Sequence, residues 1–349
     1  MQARAAWPVY MVRGSAIVTG MSEEKILVAG AGGFIGGHLV KYLQDAGAGS
    51  IVAVDVKPLE DWYQIHDGTE TMVLDLRGID ACKDAVAGCT SVYNLAADMG
   101  GMGFIENNKA LCMLSSLINT HLLMAGRDAG AKRFFFASSA CVYNTTKQTD
   151  PDNHGLKEED AYPALPEDGY GWEKLFSERM CRHFDEDFGL ICRVARYHNV
   201  YGPHGTWDGG REKAPAALCR KVIEAKLSGS HEIEVWGDGE QTRSFTYIDD
   251  CLFGTTAIMA SDVDVPINLG SDEMVSINQL VDIIEGIAEI RVRRSYDLDA
   301  PKGVRGRSSD NTLIQRELGW SPSISLRDGL EKTYSWIYDK IVARVPSRA

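Results

Sequence analysis

Short apolar runs alternate with amphipathic stretches along most of this chain. Buried-strand patterns are predicted at residues 25–29, 50–55, 71–74, 91–95, 133–138 and 190–197. Helical periodicity lies between them, most clearly at residues 35–46, 107–130 and 170–188. Because apolar strands that alternate with helices are typical of βαβ units, the sequence predicts an α/β fold with a doubly wound parallel (Rossmann) sheet.

The pattern changes after Tyr201, where glycine, proline and charged residues become denser and β/α pieces are interleaved with loops. This change predicts a smaller α/β lobe over the sheet, formed by residues 202–245 and 271–341. The main domain is predicted at residues 23–201, with a return segment at about 246–270. Residues 1–22 precede the first strand without a continuous apolar core, so we expect a disordered extension there.

Composition narrows the range of partners. Apolar residues make up 44% of the 349 positions, and no stretch approaches the roughly 20 apolar residues that cross a bilayer. The net charge of −13 argues against nucleic acid and anionic membranes, although local arginines and lysines still permit an anionic ligand. The 8 cysteines show neither CxxC pairs nor zinc spacing, which favours reduced thiols in a cytoplasmic protein, and we expect no metal site.

A glycine turn joins the first strand to the first helix, where Gly30, Gly33 and Gly36 follow a GxxGxxG spacing. Such glycines allow a tight turn, the approach of backbone to a pyrophosphate, and close packing of helix on strand. The phosphates then meet the positive N-terminus of the helix, at Phe34 and Ile35. This turn predicts a dinucleotide site.

An acidic residue at the end of the second strand indicates which dinucleotide binds. Asp55 lies 19 residues after Gly36, where a carboxylate hydrogen-bonds the adenosine ribose and repels a 2′-phosphate. The sequence therefore predicts NAD rather than NADP, although Lys57 adds a positive charge nearby. Asp75 is expected beside the adenine.

Tyr170 and Lys174 stand at positions i and i+4 of a predicted helix, so their side chains share one face. Because a nearby ammonium favours the phenolate, we expect Lys174 to lower the pKa of Tyr170 until the tyrosine can act as a base. With Ser139 after one strand, residues 94–97 after another, and the glycine turn, this pair resembles the extended short-chain dehydrogenase/reductase superfamily over residues 25–341.

The superfamily resemblance implies an enzyme that binds a nucleotide-linked sugar in the smaller lobe. It implies a hydride-transfer triad of Ser139, Tyr170 and Lys174. It further implies that the cofactor is bordered by Leu95, Ala96 and Ala97. Members commonly dimerise through the helices that correspond to residues 107–130 and 170–188, so a homodimer is expected.

Several longer runs resemble one family within the superfamily, the GDP-mannose 3,5-epimerases. These runs are residues 94–104, 138–143, 205–215, 236–245 and 303–311. The resemblance implies transient oxidation at C4 of the sugar, proton exchange at C3 and C5, and reduction back to the alcohol. GDP-mannose is the expected substrate, and NAD is regenerated in each turnover and remains tightly bound.

Cys141 stands where the dehydratases and decarboxylases of the superfamily carry an acid. Cys141 and Lys213 match the family's acid/base pair. A thiol is a usable base near neutrality when a cation lowers its pKa, and we expect NAD⁺ and the nearby lysine to do so here. The substrate-binding residues that the resemblance implies are Gly100, Gly101, Met102, Ser139, Cys141, Asn199, Glu212, Lys213, Ala214, Lys221, Gln241, Arg243 and Arg307.

Two other functions remain open from the sequence. One keeps the redox cycle but changes the substrate to an ADP- or UDP-linked hexose or heptose, with epimerisation at C4 or at a single carbon. The other is a non-catalytic NAD-binding regulatory protein. A regulator of that kind would normally lose Tyr170, Lys174 or Cys141, and all three are present.

Overall fold

The computed structural model describes residues 9–12, 15–18, 23–152, 155–301 and 303–344. Within the predicted N-terminal extension, strands β1 (Val9–Val12) and β2 (Ser15–Val18) pair as an antiparallel ribbon. The rest of that predicted extension lies outside the described residues.

Parallel strand pairing organises the rest of the chain. The strands are β3 (Lys25–Ala29), β4 (Ser50–Asp55), β5 (Glu70–Val73), β6 (Ser91–Asn94), β7 (Arg133–Ser139), β8 (Ile191–Tyr197), β9 (Val200–Tyr201), β10 (Glu232–Trp236), β11 (Thr242–Ser244), β12 (Thr246–Tyr247), β13 (Ile267–Leu269), β14 (Met274–Ser276), β15 (Arg293–Asp297) and β16 (Gly306–Arg307). Seven of them form one parallel sheet in the order β13-β8-β7-β6-β3-β4-β5. The doubly wound parallel sheet predicted from the sequence is therefore confirmed.

Helices cover both faces of this sheet. They are α1 (Phe34–Asp45), α2 (Ile79–Val86), α3 (Met102–Asn107), α4 (Lys109–Met113), α5 (Ser115–Asp128), α6 (Tyr170–Phe188), α7 (Ala214–Ser228), α8 (Ile248–Ala260), α9 (Ile277–Ala288), α10 (Thr312–Leu318) and α11 (Leu326–Arg344). Helices α2, α5 and α6 pack in sequence on one face, and α1 packs with α8 on the other. Among the described residues, no helix is long and apolar enough to cross a membrane.

Alternating side chains on the strands divide the apolar core into two layers. On β3, Ile26 and Val28 face the layer that contains α1 and α8, whereas Leu27 and Ala29 face the layer of α2, α5 and α6. This is the period of two that a strand imposes, here with both faces buried. Because each large apolar side chain buried this way contributes about 1.5–3 kcal/mol, the sheet is stabilised from both sides.

A smaller lobe continues the first of these layers. It contains the parallel pair β10 and β15, the mixed group β14-β11-β16, and the mutually packed helices α7, α9 and α11. Apolar residues from these helices and from the sheet belong to one cluster. Between the two parts of the lobe, α8 and β13 return to the main sheet, where β13 pairs with β8.

The helix predicted at residues 107–130 is wrong in its continuity, because α3, α4 and α5 occupy this region in its place. Asn108 separates the first two with a non-helical backbone (φ −132°, ψ 40°). Its side-chain amide donates to Phe104 O at 2.9 Å, which satisfies a carbonyl at the end of α3. Periodicity did not reveal this break, because it follows from one local hydrogen bond.

Candidate active site

The glycine turn after β3 packs backbone directly on backbone. A Cβ atom on Gly36 would lie 2.0 Å from the Gly30 carbonyl oxygen, and one on Gly30 would lie 2.9 Å from Ala96 N. Gly30 also has φ +85°, which favours glycine. No side chain caps the N-terminus of α1 at Gly33, so the first N–H groups of the helix can meet a phosphate.

The end of β4 lies beside this turn and carries Asp55, which is 8% exposed. The Lys57 N–H donates to Asp55 Oδ1 at 3.1 Å, which orients the carboxylate. The Lys57 ammonium donates to Gly32 O at 3.3 Å and lies 4.3 Å from the centre of the Tyr63 ring. The Lys57 ammonium therefore already has partners within the protein, so its presence does not indicate a site for the 2′-phosphate of NADP. The turn and the carboxylate thus fit NAD.

The remaining residues predicted around the cofactor follow the next two strands. Asp75, beyond β5, is exposed and accepts hydrogen bonds from Arg77 Nε at 2.9 Å, from Arg77 Nη2 at 2.6 Å and from the Arg77 backbone N–H at 3.0 Å. These hydrogen bonds hold the pKa of Asp75 below its ordinary value. The segment with Leu95, Ala96 and Ala97 begins directly after β6, and the Ala96 N–H donates to Asn94 Oδ1 at 3.2 Å.

A cavity of about 290 Å³ lies between the carboxyl edge of the sheet and the smaller lobe. Residues from β7, α6, α7, β10, β11 and β16 line it, together with the loop after β6. All of the predicted substrate-binding residues and the predicted base Tyr170 are among the lining residues, namely Gly100, Gly101, Met102, Ser139, Cys141, Tyr170, Asn199, Glu212, Lys213, Ala214, Lys221, Gln241, Arg243 and Arg307. Residues more than 200 positions apart therefore share one cavity.

Tyr170 is buried at the start of α6, with the side chain of Lys174 one turn further along the helix. Lys174 Nζ lies 5.5 Å from the centre of the Tyr170 ring and 3.6 Å from Glu173 Oε2. Burial raises the pKa of Tyr170 well above its ordinary value, and the neighbouring Cys141 and Glu173 raise it further, while the Ser139 hydroxyl lowers it.

The pKa of Tyr170 in the protein without NAD is therefore raised rather than lowered. The physical reason is that burial opposes formation of a phenolate, and the neighbouring Cys141 and Glu173 raise the pKa further. The side chain of Lys174 is buried and lies 4.6 Å from the centre of the Phe136 ring, and it does not line the cavity.

Cys141 lies in the single helical turn that follows β7, and the Ser139 side chain caps this turn. The Cys141 N–H donates to Ser139 Oγ at 3.2 Å. Arg307 Nη1 lies 3.7 Å from the sulfur. Burial raises the pKa of Cys141 to about 11; Glu167 adds to this rise, and Arg307 opposes it.

In the protein without NAD, the pKa of Cys141 is thus raised rather than lowered. A cation does lie beside Cys141, but it is Arg307, and it is also paired with Glu167. Desolvation and the carboxylate outweigh the guanidinium, so Cys141 is a protonated thiol at neutral pH.

Lys213 immediately precedes α7 and faces the same cavity. Burial lowers its pKa from the ordinary lysine value, and Cys141 opposes this shift. A lysine in such surroundings gives up its proton more readily than one in water.

The glycines after β6 permit a close approach between two loops. The Gly101 N–H donates to Arg211 O at 3.1 Å, and a Cβ atom on Gly101 would lie 2.6 Å from Glu212 O. A Cβ atom on Gly100 would lie 2.9 Å from Phe104 Cβ. These glycines therefore fix the loop that precedes Lys213, in addition to lining the cavity.

Two predicted arginines bring positive charge to the far side of the cavity. Arg307 donates to Gln148 Oε1 at 2.6 Å and to Glu167. Arg243 donates to the carbonyl oxygens of Thr242 and Val304, at 2.7 and 2.6 Å. Burial and the charge of Arg307 lower the pKa of Arg243 to about 9. An anionic group bound here would offset the repulsion between the Arg243 and Arg307 guanidinium groups.

Four further predicted contacts lie around the cavity with partners of their own. Glu212 pairs with Arg220 at 3.1 Å, and Lys221 donates to Glu234 O at 2.7 Å. Asn199 Nδ2 donates to Ser244 O at 3.0 Å. Gln241 Nε2 donates to Trp236 O at 2.9 Å, while its buried Oε1 lacks a hydrogen-bond partner among the described residues.

Glu167 is the principal cavity residue that sequence reasoning missed. It lies in the loop before α6, is 9% exposed, and its N–H donates to Cys141 O at 3.0 Å. Burial raises its pKa, but the charge of Arg307 and hydrogen bonds from Arg307 and Cys141 outweigh burial, so the net pKa is lowered. Its position 3 residues before Tyr170 was the available signal, but acids in polar loops are usually solvated. Other cavity residues outside the prediction are Met99, Gly103, Ile105, Ala140, Tyr197, Gly210, Ala217, Leu218, Arg220, Glu234, Val235, Trp236, Phe245, Ile277 and Pro301.

Comparison with known proteins identifies the class of this site. The sequence profile of the NAD dependent epimerase/dehydratase family matches residues 26–270. The chain belongs to this family. A curated relative, GDP-mannose 3,5-epimerase 1 of Oryza sativa subsp. japonica, is 49% identical over 318 residues, which cover 91% of this chain and 82% of that relative. The resemblance noted in the sequence is therefore confirmed.

Solved structures agree with the epimerase/dehydratase fold. A UDP-glucose 4-epimerase from Thermotoga maritima is similar with a TM-score of 0.81 and 24% identity, covering 91% of this chain and 99% of that chain. UDP-glucuronic acid 4-epimerase from Bacillus cereus, in complex with UDP-glucuronic acid and NAD, has a TM-score of 0.77 and 27% identity, covering 90% and 99% respectively. The chain thus belongs to a family described as NAD dependent and shares its fold with solved sugar-nucleotide epimerases.

The packing of the glycine turn generates a prediction about the cofactor. Gly36→Ala places a methyl group 2.0 Å from the Gly30 carbonyl, so the turn must open and the helix N-terminus must shift. We expect NAD to bind at least tenfold more weakly, a loss of about 1.4 kcal/mol or more, as measured by calorimetric titration.

Gly126→Ala is the matched control, because its added methyl group would lie 3.7 Å from Ala131 Cβ, at ordinary contact distance. This variant should bind NAD as the unmodified protein does. Unchanged NAD affinity in Gly36→Ala would contradict the role assigned to the turn.

Proposed function

We propose that this chain is a GDP-mannose 3,5-epimerase. The observation that carries the proposal is one cavity shared by Tyr170, Cys141 and Lys213, which provide a redox base and two groups for proton transfer. The 49% identity to a GDP-mannose 3,5-epimerase over most of both chains supports the choice of nucleotide and sugar.

Oxidation at C4 of the hexose begins with Tyr170 as the proposed base. Tyr170 takes the proton of the 4-hydroxyl, and the Ser139 hydroxyl, which lowers the pKa of Tyr170, helps to stabilise the phenolate that this role requires. Lys174, 5.5 Å from the centre of the Tyr170 ring, is the third member of the proposed triad. When bound, NAD supplies the hydride acceptor for C4 and a positive ring charge that favours this phenolate. The dinucleotide would be held by the turn at Gly30–Gly36 and by Asp55.

Proton exchange at C3 and C5 is assigned to Cys141 and Lys213. A ketone at C4 acidifies the hydrogens on both neighbouring carbons, because the resulting carbanion is delocalised as an enolate. Inversion requires that one face of the ring lose a proton and that the other face gain one. A thiol and an amine that share the cavity can perform these two transfers.

Two arginines of the cavity, Arg243 and Arg307, are the proposed source of positive charge for the anionic substrate. Arg243 is the better placed to bind the diphosphate, because burial and Arg307 lower its pKa to about 9 and an anion would offset both effects. The contacts proposed for the hexose and the remaining nucleotide are Gly100, Gly101, Met102, Asn199, Glu212, Ala214, Lys221 and Gln241.

Isotope exchange tests the reaction directly. We expect the purified protein with NAD⁺ and GDP-mannose in D₂O to place deuterium at both C3 and C5, as read by NMR and mass spectrometry. Tyr170→Phe should abolish every step, since oxidation precedes exchange. Cys141→Ala should retain NAD binding and a slow oxidation at C4 while it stops exchange. Absence of deuterium at both carbons with active protein would refute the epimerase assignment.

A panel of sugar nucleotides tests the specificity. GDP-mannose should raise the melting temperature of the NAD-loaded protein more than ADP-, UDP- or dTDP-linked hexoses do, because binding to the native state stabilises it in proportion to affinity. If another sugar nucleotide raises the melting temperature more, the proposed redox chemistry still stands, but the assignment of a guanine nucleotide is overturned.

We further propose a homodimer in the cytoplasm. Helices α4, α5 and α6 and the residue between α4 and α5 carry exposed apolar side chains, namely Met113, Leu114, Leu117, Trp172, Phe176 and Phe188. Exposed apolar patches are typical of protein interfaces. Eight free cysteines support a reducing compartment.

Light scattering tests the assembly. Leu117→Asp introduces a charge into the proposed interface and should shift the measured mass from dimer to monomer. Leu298→Asp is the matched control, because Leu298 is 58% exposed and lies in the smaller lobe. A monomeric unmodified protein, or a dimer that Leu117→Asp leaves intact, would contradict this interface.

A further inference from the structure

Glu167 forms an unusual buried carboxylate in the cavity. One of its oxygens accepts a hydrogen bond from Arg307, whereas the other, Oε2, is buried without a hydrogen-bond partner among the described residues. The same glutamate is tied to Cys141 through the backbone, since its N–H donates to Cys141 O at 3.0 Å. A buried carboxylate therefore stands beside the thiol that the proposed reaction uses.

Arg307 links these two side chains. Its Nη2 binds Glu167, and its Nη1 lies 3.7 Å from the sulfur of Cys141. A guanidinium can stabilise either a carboxylate or a thiolate, and in this arrangement a carboxylate already neutralises it. The charged and titratable groups around Cys141 are Cys112, Glu167, Tyr170, Lys213, Arg243 and Arg307, and the Ser139 hydroxyl lies beside it as well.

We propose that Glu167 is a positioning residue that holds Cys141 as a neutral thiol by taking up the positive charge of Arg307. It acts through Arg307 and through the field it creates at the sulfur. The raised pKa of Cys141, to which Glu167 contributes after burial, agrees with this geometry.

If Glu167 holds Cys141 as a neutral thiol, Cys141 donates a proton and Lys213 accepts one. This assignment of direction rests on the proposed epimerase function. Cys141 enters the cycle as the proton donor: its S–H bond breaks, a C–H bond forms at the enolate carbon, and the electron pair stays on sulfur as a thiolate beside Arg307. Lys213 enters as a neutral amine and takes one proton from the opposite face of the ring, becoming an ammonium. One proton leaves carbon and one returns, and the ammonium and thiolate reset by exchange with water.

The test measures the thiol itself in the NAD-loaded protein, without any sugar nucleotide. Alkylation of Cys141 by iodoacetamide is followed against pH, with the modified peptide quantified by mass spectrometry. Only the thiolate reacts, so the midpoint of the profile reports the pKa of Cys141. In Glu167→Gln the amide still accepts a hydrogen bond from Arg307 but no longer neutralises it. We expect the midpoint to fall by about 1–3 pH units, with faster alkylation at neutral pH.

Two further variants separate charge from local structure. Glu167→Asp restores the carboxylate and should recover part of the raised midpoint. Glu212→Gln removes a cavity carboxylate that pairs with Arg220, and it should leave the Cys141 midpoint unchanged. A midpoint that stays the same or rises in Glu167→Gln would overturn the proposal, as would an equal shift in Glu212→Gln.

The unmodified protein provides a test that does not depend on whether a variant folds. Its Cys141 midpoint should lie above the value of a free thiol, about 8.5, and a midpoint at or below that value would overturn the proposal. These measurements need no turnover. A failure of the proposed epimerase reaction would therefore show in the isotope experiment and leave the thiol titration unaffected.

Discussion

Parallel pairing brings the carboxyl ends of the central strands to one edge of the sheet, and the site depends on this constraint. β3 ends at the glycine turn, β4 ends at Asp55, and β7 ends at Ser139. Each end is followed by backbone that leaves the sheet, so its polar groups are not consumed by strand pairing. The cofactor turn after β3 and the groups after β7 thus lie at the same edge of the sheet, with only β6 between their strands.

The smaller lobe contributes the basic side chains of the cavity. Lys213 immediately precedes α7, and Arg243 and Arg307 lie on the adjacent strands β11 and β16, which pair in parallel with these two residues in register. Two buried guanidinium groups so close together repel one another, and the buried Glu167 offsets part of that repulsion. The cavity therefore carries positive charge on the lobe side, and one of these guanidinium groups lies 3.7 Å from the Cys141 sulfur. Such charge favours an anionic ligand.

Sequence patterns predicted the sheet because its strands are short, apolar and buried on both faces, and they predicted the cavity residues through long matching runs. The pair Cys141 and Lys213 could be found in this way although the two lie 72 residues apart. The sequence did not show whether each side chain in the site is buried, charged or paired with a neighbour. Lys174 was expected to act on Tyr170, but its neighbour Glu173 offsets the ammonium, and that pairing depends on rotamers. Glu167 was missed for a similar reason, since nothing in a polar loop indicates that a carboxylate is buried.

Burial has opposite consequences for an acid and a base, and this explains how one cavity can hold both in working form. Removing water disfavours charge, so it raises the pKa of the Cys141 thiol and lowers the pKa of the Lys213 ammonium. Each shift moves its group toward the neutral form, and a neutral thiol donates a proton while a neutral amine accepts one. Arg307 would reverse this at the sulfur if its charge were uncompensated, because a thiolate would then gain an ion pair. Glu167 pairs with Arg307, so in the proposed reaction the division of roles between the two groups follows from a desolvated cavity in which the nearest cation is already paired.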